Sequence, residues 1–210
     1  MGSLDRALLA GLLLWLGACH PTSAATFSYR GTFTHDDDLQ LISLPLSSVS
    51  DVTIRTYAYG GGIQADGTTI GHGGFDPILD LFDWTDNFII EADDETAPGT
   101  ANVDPDTHEA FDAVLGMTLG AGSYTVALVQ YDNSAKGNTL AAGFLRSGNP
   151  TFTSTYGCSN GSFCDLGHHN RTGAWALDIF VSEVPEPSLY ALLLVGLGAL
   201  FAAPRLNHAH

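Results

Sequence analysis

Positive charge is scarce in this sequence. Only 7 of its 210 residues are Lys or Arg, against 23 Asp and Glu, so the formal net charge is −16 at pH 7. Such a surface repels phosphate backbones and anionic headgroups and favours cations or neutral partners, so we expect no nucleic-acid partner. The apolar content of 45% is typical of a folded domain and argues against disorder.

Motifs of catalysis are also lacking. The sequence has no G-x-S-x-G nucleophile elbow. Its glycine runs at 60–62 and 71–74 lack the Lys and the Ser or Thr of a phosphate-binding loop. The sequence therefore predicts a protein that is not an enzyme, and a secreted hydrolase with an unrecognised site stays open as an alternative.

The chain begins with a short hydrophobic segment. An apolar run of 12 residues, Ala7–Ala18, is followed by small residues at Ser23 and Ala25, which is typical of a secretory signal peptide and its cleavage site. We therefore predict a signal peptide over residues 1–25. In the alternative interpretation, Leu-Gly-Ala-Cys at 16–19 resembles a lipobox, in which Cys19 is lipidated and retained.

Cysteine is rare, with three residues in all. If Cys19 leaves with the signal peptide, Cys158 and Cys164 remain. Two cysteines this close in an exported chain most simply form one disulfide that closes a small loop. A metal site that includes His168 and His169 is the alternative, but the C-x5-C spacing is longer than the usual zinc spacing.

The chain ends with a second hydrophobic segment. Leu189–Ala203 is an apolar stretch of 15 residues, or about 22 Å as a helix. This is short for a bilayer core of about 30 Å, so we predict a marginal transmembrane helix. Arg205 places a single positive charge behind it.

The residues around this helix follow a known order. Pro185, Glu186 and Pro187 precede it and Arg205 follows it, which resembles the PEP-CTERM sorting signal of Gram-negative bacteria. The cluster of several arginines usual in that signal is missing. The resemblance implies that residues 185–210 anchor the protein in the membrane for a time, and that an exosortase processes it for the cell surface or an exopolysaccharide matrix.

The central residues, 26–184, show strand periodicity. Alternating apolar and polar residues bounded by turn residues predict strands at 26–34, 49–59, 78–84, 88–91, 123–131 and 174–182. A short helical turn near 110–114 is the one exception. Regularly spaced strands and 24 glycines predict an all-β antiparallel sandwich.

Several phrases of this central region resemble a known domain. They are HDDDLQLISLPL, GGFDPILDLFD, IIEADDE, LGAGSYTVALVQYDN and GAWALDIFV, and they are similar to surface proteins with a domain like the bacterial pre-peptidase C-terminal (PPC) domain. The resemblance implies a jelly-roll-like β-sandwich that serves as a binding or structural module.

Acidic residues cluster in three segments of the chain. Calcium takes six to eight oxygen ligands from carboxylates and loop carbonyls, and the end loops of a sandwich can supply both. We therefore predict calcium ligands among Asp36, Asp38, Asp93, Asp94, Asp104 and Asp106. A solvated acidic surface is the alternative. A calcium site would favour a second function, that of a calcium-dependent carbohydrate-binding or adhesive module.

Overall fold

The computed structural model describes residues 24–94 and 99–185. One compact unit comprises residues 23–183, and the other comprises residues 1–22 and 184–210. The expected signal peptide and sorting helix lie outside the described residues, apart from Ala24, Ala25 and Pro185. In the part that is described, no helix is both long and apolar enough to cross a membrane.

The described chain is built from β-strands and two short 3-10 helices, Leu140–Ala142 and Phe152–Tyr156. The strands are β1 (Ala24–Thr32), β2 (Gln40–Leu46), β3 (Ser50–Thr56), β4 (Gly62–Ile63), β5 (Thr69–Ile70), β6 (Pro77–Phe82), β7 (Phe88–Asp93), β8 (Val114–Leu119), β9 (Gly122–Gln130) and β10 (Ala174–Glu183).

The eight long strands form two antiparallel four-stranded sheets. The first has the order β1-β10-β3-β8 and the second has the order β2-β9-β6-β7, while β4 and β5 form a small ribbon of their own. The first three long strands alternate between the two sheets, and the last three do so again after the β6–β7 hairpin. This is the jelly-roll arrangement of two facing sheets, so the fold predicted from the sequence is confirmed.

The main core lies between the two sheets. On β3, Val52, Ile54 and Thr56 are buried while the residues between them are more exposed, which is the period-two pattern of a strand with one face on a core. Ile54 pairs with Ile179 of β10 on one side and with Leu115 of β8 on the other.

A second, smaller cluster covers the other face of the β2-β9-β6-β7 sheet. Leu79 and Leu81 of β6 pack into the main core, whereas Ile78 and Phe82, of opposite parity, pack with Phe144. Both faces of β6 are therefore covered, and all six of its residues are buried. The second face of β6 also carries the acidic side chain of Asp80.

The six strands predicted from the sequence are confirmed as β1, β3, β6, β7, β9 and β10, with boundaries that differ by up to a few residues. Two long strands, β2 and β8, and the short β4 and β5 were not predicted. The helical turn expected near 110–114 is wrong, because residues 110–113 are irregular and Val114 begins β8.

The predicted disulfide joins two points of the long connection between β9 and β10. Cys158 and Cys164 are bonded to each other, with their Cα atoms 5.7 Å apart. The bridge closes a small loop, so it restricts a short piece of chain that has no regular sheet to hold it.

Substitution of Ile54 tests the position of the core. We expect Ile54→Ala to lower the free energy of unfolding by about 2 to 5 kcal/mol, because it leaves a cavity between two sheets that cannot close around it. The matched control is Thr53→Ala, one residue away on the exposed face, with an expected loss below about 1 kcal/mol. Chemical denaturation measures both values, and equal losses would contradict the assigned faces.

Candidate metal centre and an aromatic cleft

The six carboxylates predicted as ligands do not gather at one place. Among the described residues, two groups of possible ligand atoms lie within 4.8 Å of one another: His72 with Asp104 and Asp106, and Asp76 with Asp93 and Asp94. Asp36 and Asp38 belong to neither group. His72 and Asp76 were not among the ligands predicted from the sequence.

Asp36 is fully buried and its carboxylate is occupied by the protein itself. One oxygen accepts hydrogen bonds from the backbone N–H and the hydroxyl of Thr153, and the other accepts one from the N–H of Phe163 at 2.7 Å. These bonds fasten the β9–β10 connection to the loop between β1 and β2. Asp36 therefore acts as a structural acceptor.

Asp38 closes a local turn. Its Oδ2 accepts hydrogen bonds from the N–H groups of Thr34 and His35, at 2.6 and 3.0 Å, and from the Thr34 hydroxyl. Partial burial opposes the ionised form, but hydrogen bonds from His35 and Thr34 outweigh it and lower the pKa of Asp38. This carboxylate is stable as an anion without a metal ion.

The group of His72, Asp104 and Asp106 already has a positively charged side chain beside it. Asp104 is buried and forms a salt bridge of 2.7 Å with the buried guanidinium of Arg171. Arg171 also lies over the ring of Tyr59, 3.6 Å from its centroid. A metal ion would have to compete with Arg171 for Asp104, so this group is a poor metal centre.

The group of Asp76, Asp93 and Asp94 has a different character. Asp76 is 9% exposed, and its buried Oδ1 accepts no hydrogen bond within the described ranges. Neither Asp76 nor Asp93 takes part in an ion pair formed by residues that the structure describes. Three carboxylates thus converge at a place where no arginine or lysine of the described residues forms an ion pair with Asp76.

The backbone explains how these three side chains meet. Asp76 directly precedes Pro77 at the start of β6, and Asp93 ends β7 opposite Ile78. Neighbouring residues of a regular strand point to opposite faces. Asp94 has a positive φ of 60°, which ends that alternation and is tolerated by Asp better than by most residues.

Proximity changes the acidity of this group. Burial, followed by the charges of Asp94 and Asp93, raises the pKa of Asp76 well above its usual value. Partial burial, followed by the charges of Asp94 and Glu91, raises the pKa of Asp93 to about 6. Ionisation of Asp76 and Asp93 is therefore more costly than that of free carboxyl groups, and the all-oxygen donor set of the group suits a hard cation such as calcium or magnesium.

A pair of acidic residues, Asp80 and Glu91, lies beside this group. Asp80 of β6 is fully buried and sits opposite Glu91 of β7 in the strand register. Burial, followed by the charge of Glu91, raises the pKa of Asp80 to about 7. One strand pair therefore carries Asp80, Glu91 and Asp93, which is a costly arrangement when all three are ionised.

An open cleft of about 470 Å³ lies where the edge strands β1 and β2 of the two sheets adjoin. Tyr29 and Trp175 contribute rings to its lining, and Asp38 and Gln40 contribute polar groups. A Cβ added to Gly31 would lie 2.6 Å from the indole of Trp175, so glycine is required for this ring to rest on β1. The acidic group lies on the opposite side of the sandwich, at the β7 edge.

No protein-family model matches the chain, and no curated protein gives a significant match.

The acidic pair predicts how stability depends on pH. The folded pKa of Asp80 is about 7, against an ordinary value of 3.8, so between these pH values the folded state binds more protons than the unfolded chain. Stability of the metal-free protein should therefore fall as pH rises across this window. We expect Asp80→Asn to reduce the loss between pH 5 and pH 8 by about 1 to 3 kcal/mol.

The control for this measurement is Asp83→Asn. Hydrogen bonds from Thr85 and Asn87 lower the pKa of Asp83, which is exposed in the β6–β7 turn. Its removal should leave the loss between pH 5 and pH 8 unchanged. Denaturant titrations at pH 5 and pH 8 measure the free energy of unfolding. An equal loss between these pH values for Asp80→Asn and the wild type would contradict the prediction.

Proposed function

We propose that this chain is an exported, non-enzymatic protein of the cell surface or extracellular matrix of a Gram-negative bacterium. In this proposal, an exosortase-type enzyme sorts it through the segment from Pro185 to Arg205. The protein then associates with exopolysaccharide.

The observation that carries this proposal is the place where the sandwich ends. The last strand, β10, ends at Glu183, and the resemblance to the sorting signal begins at Pro185. A proline has no N–H to donate and fixes its own φ, so Pro185 cannot continue the ladder. A processing enzyme could remove the tail at this boundary without taking any strand of the sandwich.

The other end of the sandwich fits the same scheme. β1 begins at Ala24, two residues before the amino terminus that we expect near Thr26. Cleavage there would remove only the pairs of Ala24 with Ser182 and of Ala25 with Val181. The disulfide between Cys158 and Cys164 is a further support, because such bonds persist in oxidising compartments outside the cytoplasm.

Mass spectrometry of the protein recovered from its native host tests this proposal. We expect an amino terminus near Thr26 and loss of the chain beyond about Pro187. Replacement of Pro185 and Pro187 by Ala should leave the tail attached, because the segment loses the extended conformation that the prolines impose. Pro150→Ala, in a surface turn, is the matched control and should be processed normally. An intact tail in the wild type, or a lipid on Cys19, would overturn the proposal.

A second candidate function is a carbohydrate-binding or adhesive module, and the cleft beside Trp175 favours it. Aromatic rings next to polar side chains are the combination that binds sugars, since a ring packs against the apolar face of a pyranose while carboxylate and amide groups bond its hydroxyls. Tyr29 offers a partly exposed ring there, and Asp38 and Gln40 offer the polar groups.

Binding to a glycan array tests this candidate. We expect Tyr29→Leu, which keeps apolar volume but removes the ring, to weaken binding about tenfold, because stacking on one aromatic ring contributes on the order of 1 to 3 kcal/mol for nucleic-acid bases. Trp84→Ala is the matched control, since Trp84 is 77% exposed in the β6–β7 turn and outside the cleft. Equal losses for both variants, or no binding by the wild type, would contradict the assignment.

A further inference from the structure

The strongest unexplained feature of the described chain is a buried carboxylate oxygen, Oδ1 of Asp76, that accepts no hydrogen bond from the described residues. Seven aspartates are buried in the described part of the chain: Asp36, Asp76, Asp80, Asp104, Asp112, Asp165 and Asp178. Five of them accept hydrogen bonds from hydroxyl, backbone or guanidinium donors. Both oxygens of Asp80 also lack a hydrogen-bond partner in the described ranges, but Asp80 faces Glu91, with which it can share a proton. Asp76 differs because its unpaired Oδ1 belongs to a group of three carboxylates.

Burying an anion without compensation costs several kcal/mol, and placing it beside other anions adds to that cost. For comparison, Asp112 accepts bonds from the backbone N–H groups of Ala58, Tyr59 and Gly60. Nothing of this kind serves Oδ1 of Asp76 in the described ranges. Among the described residues, Oδ1 of Asp76 therefore lacks a compensating donor, which a proton or a metal ion would supply.

The dimensions suit a metal ion. The ligand atoms of Asp76, Asp93 and Asp94 lie within 4.8 Å of one another. Calcium–oxygen bonds are about 2.3 to 2.6 Å long, so two oxygens on one calcium ion are separated by at most about 5 Å. The three carboxylates are thus already at the separation that one shared ion imposes.

We propose that Asp76, Asp93 and Asp94 form a calcium site, with Asp76 as its buried ligand. The donors are all oxygen, with no histidine or cysteine, which disfavours zinc and copper. Magnesium requires a nearly ideal octahedron and releases its water reluctantly, whereas calcium accepts irregular geometry from loop ligands. Water and backbone carbonyls complete the coordination sphere.

This site would join three parts of the sandwich. Asp76 directly precedes β6, Asp93 ends β7 and Asp94 directly follows it. The carbonyl of Asp94 accepts a hydrogen bond of 3.1 Å from Val114, the first residue of β8. β7 and β8 are the edge strands of different sheets, so a bound ion would strengthen the crossover between the two sheets.

The proposed calcium site and the aromatic cleft lie at different edges of the sandwich. The cleft beside Trp175 lies at the β1 and β2 edge, and the acidic group lies at the β7 edge. Calcium at Asp76 would therefore act on stability rather than coordinate a sugar in the cleft. This inference does not depend on the sorting proposal, because it concerns the sandwich alone.

Thermal unfolding of the full-length chain, purified in a non-ionic detergent and freed of metal with a chelator, tests the site. We expect CaCl2 at a hundredfold excess over Kd to raise Tm by about 5 to 10 °C, because an ion that binds only the folded state stabilises it. NaCl at matched ionic strength should have little effect, since screening does not replace coordination. Equal shifts with both salts would overturn the proposal.

Three variants locate the ion. Asp93→Asn, at a side chain that solvent reaches, should fold normally and bind calcium at least tenfold more weakly by calorimetry. Asp76→Asn should lose the calcium-specific rise in Tm, while its metal-free Tm equals or exceeds that of the wild type because it relieves repulsion. Asp106→Asn, in the other acidic group, is the matched control and should respond as the wild type does. Full binding by Asp93→Asn, or a loss confined to Asp106→Asn, would contradict the assignment.

Discussion

Hydrogen bonding of buried carboxylates is the interaction on which the loops of this sandwich depend. An unpaired buried anion is costly, yet once its oxygens are satisfied it holds several backbone groups at fixed points. Asp178 of β10 shows this, because its carboxylate accepts bonds from the hydroxyls of Ser28 and Tyr57 and from the N–H of Ala65. One side chain thereby joins β1, the end of β3 and the β4–β5 ribbon. Much of the acidic composition therefore serves the fold.

This use of carboxylates limits what acidic runs in the sequence can reveal. The run at 36–38 looked like a metal site, but Asp36 and Asp38 are hydrogen-bonded within the protein. Asp104 likewise forms a salt bridge with Arg171. The two residues are 67 positions apart in the sequence, so no local sequence pattern could predict this pair. Asp76 was missed for the opposite reason. It is a single acid between Phe75 and Pro77, and only the long-range pairing of β6 with β7 brings it beside Asp93.

The two long strands that the sequence did not predict share a position in the fold. β2 and β8 are both edge strands of their sheets, and each carries a residue that weakens a strand pattern. Pro45 lies in β2 and Gly116 lies in β8. An edge strand tolerates both, because one side of its backbone has no ladder to complete. By contrast, the alternation of β3, a central strand with one face on the core, was visible from its residues alone.

The pairing of β1 with β10 determines how the sandwich would respond to force. The two strands run antiparallel along their whole length, and Ala24 lies opposite Ser182, so the chain enters and leaves at the same end of one ladder. A load applied between these two points would open the ladder like a zipper, one hydrogen-bonded pair after another. A load that enters at one of these points and leaves elsewhere in the sandwich would not pull the two strand ends directly apart.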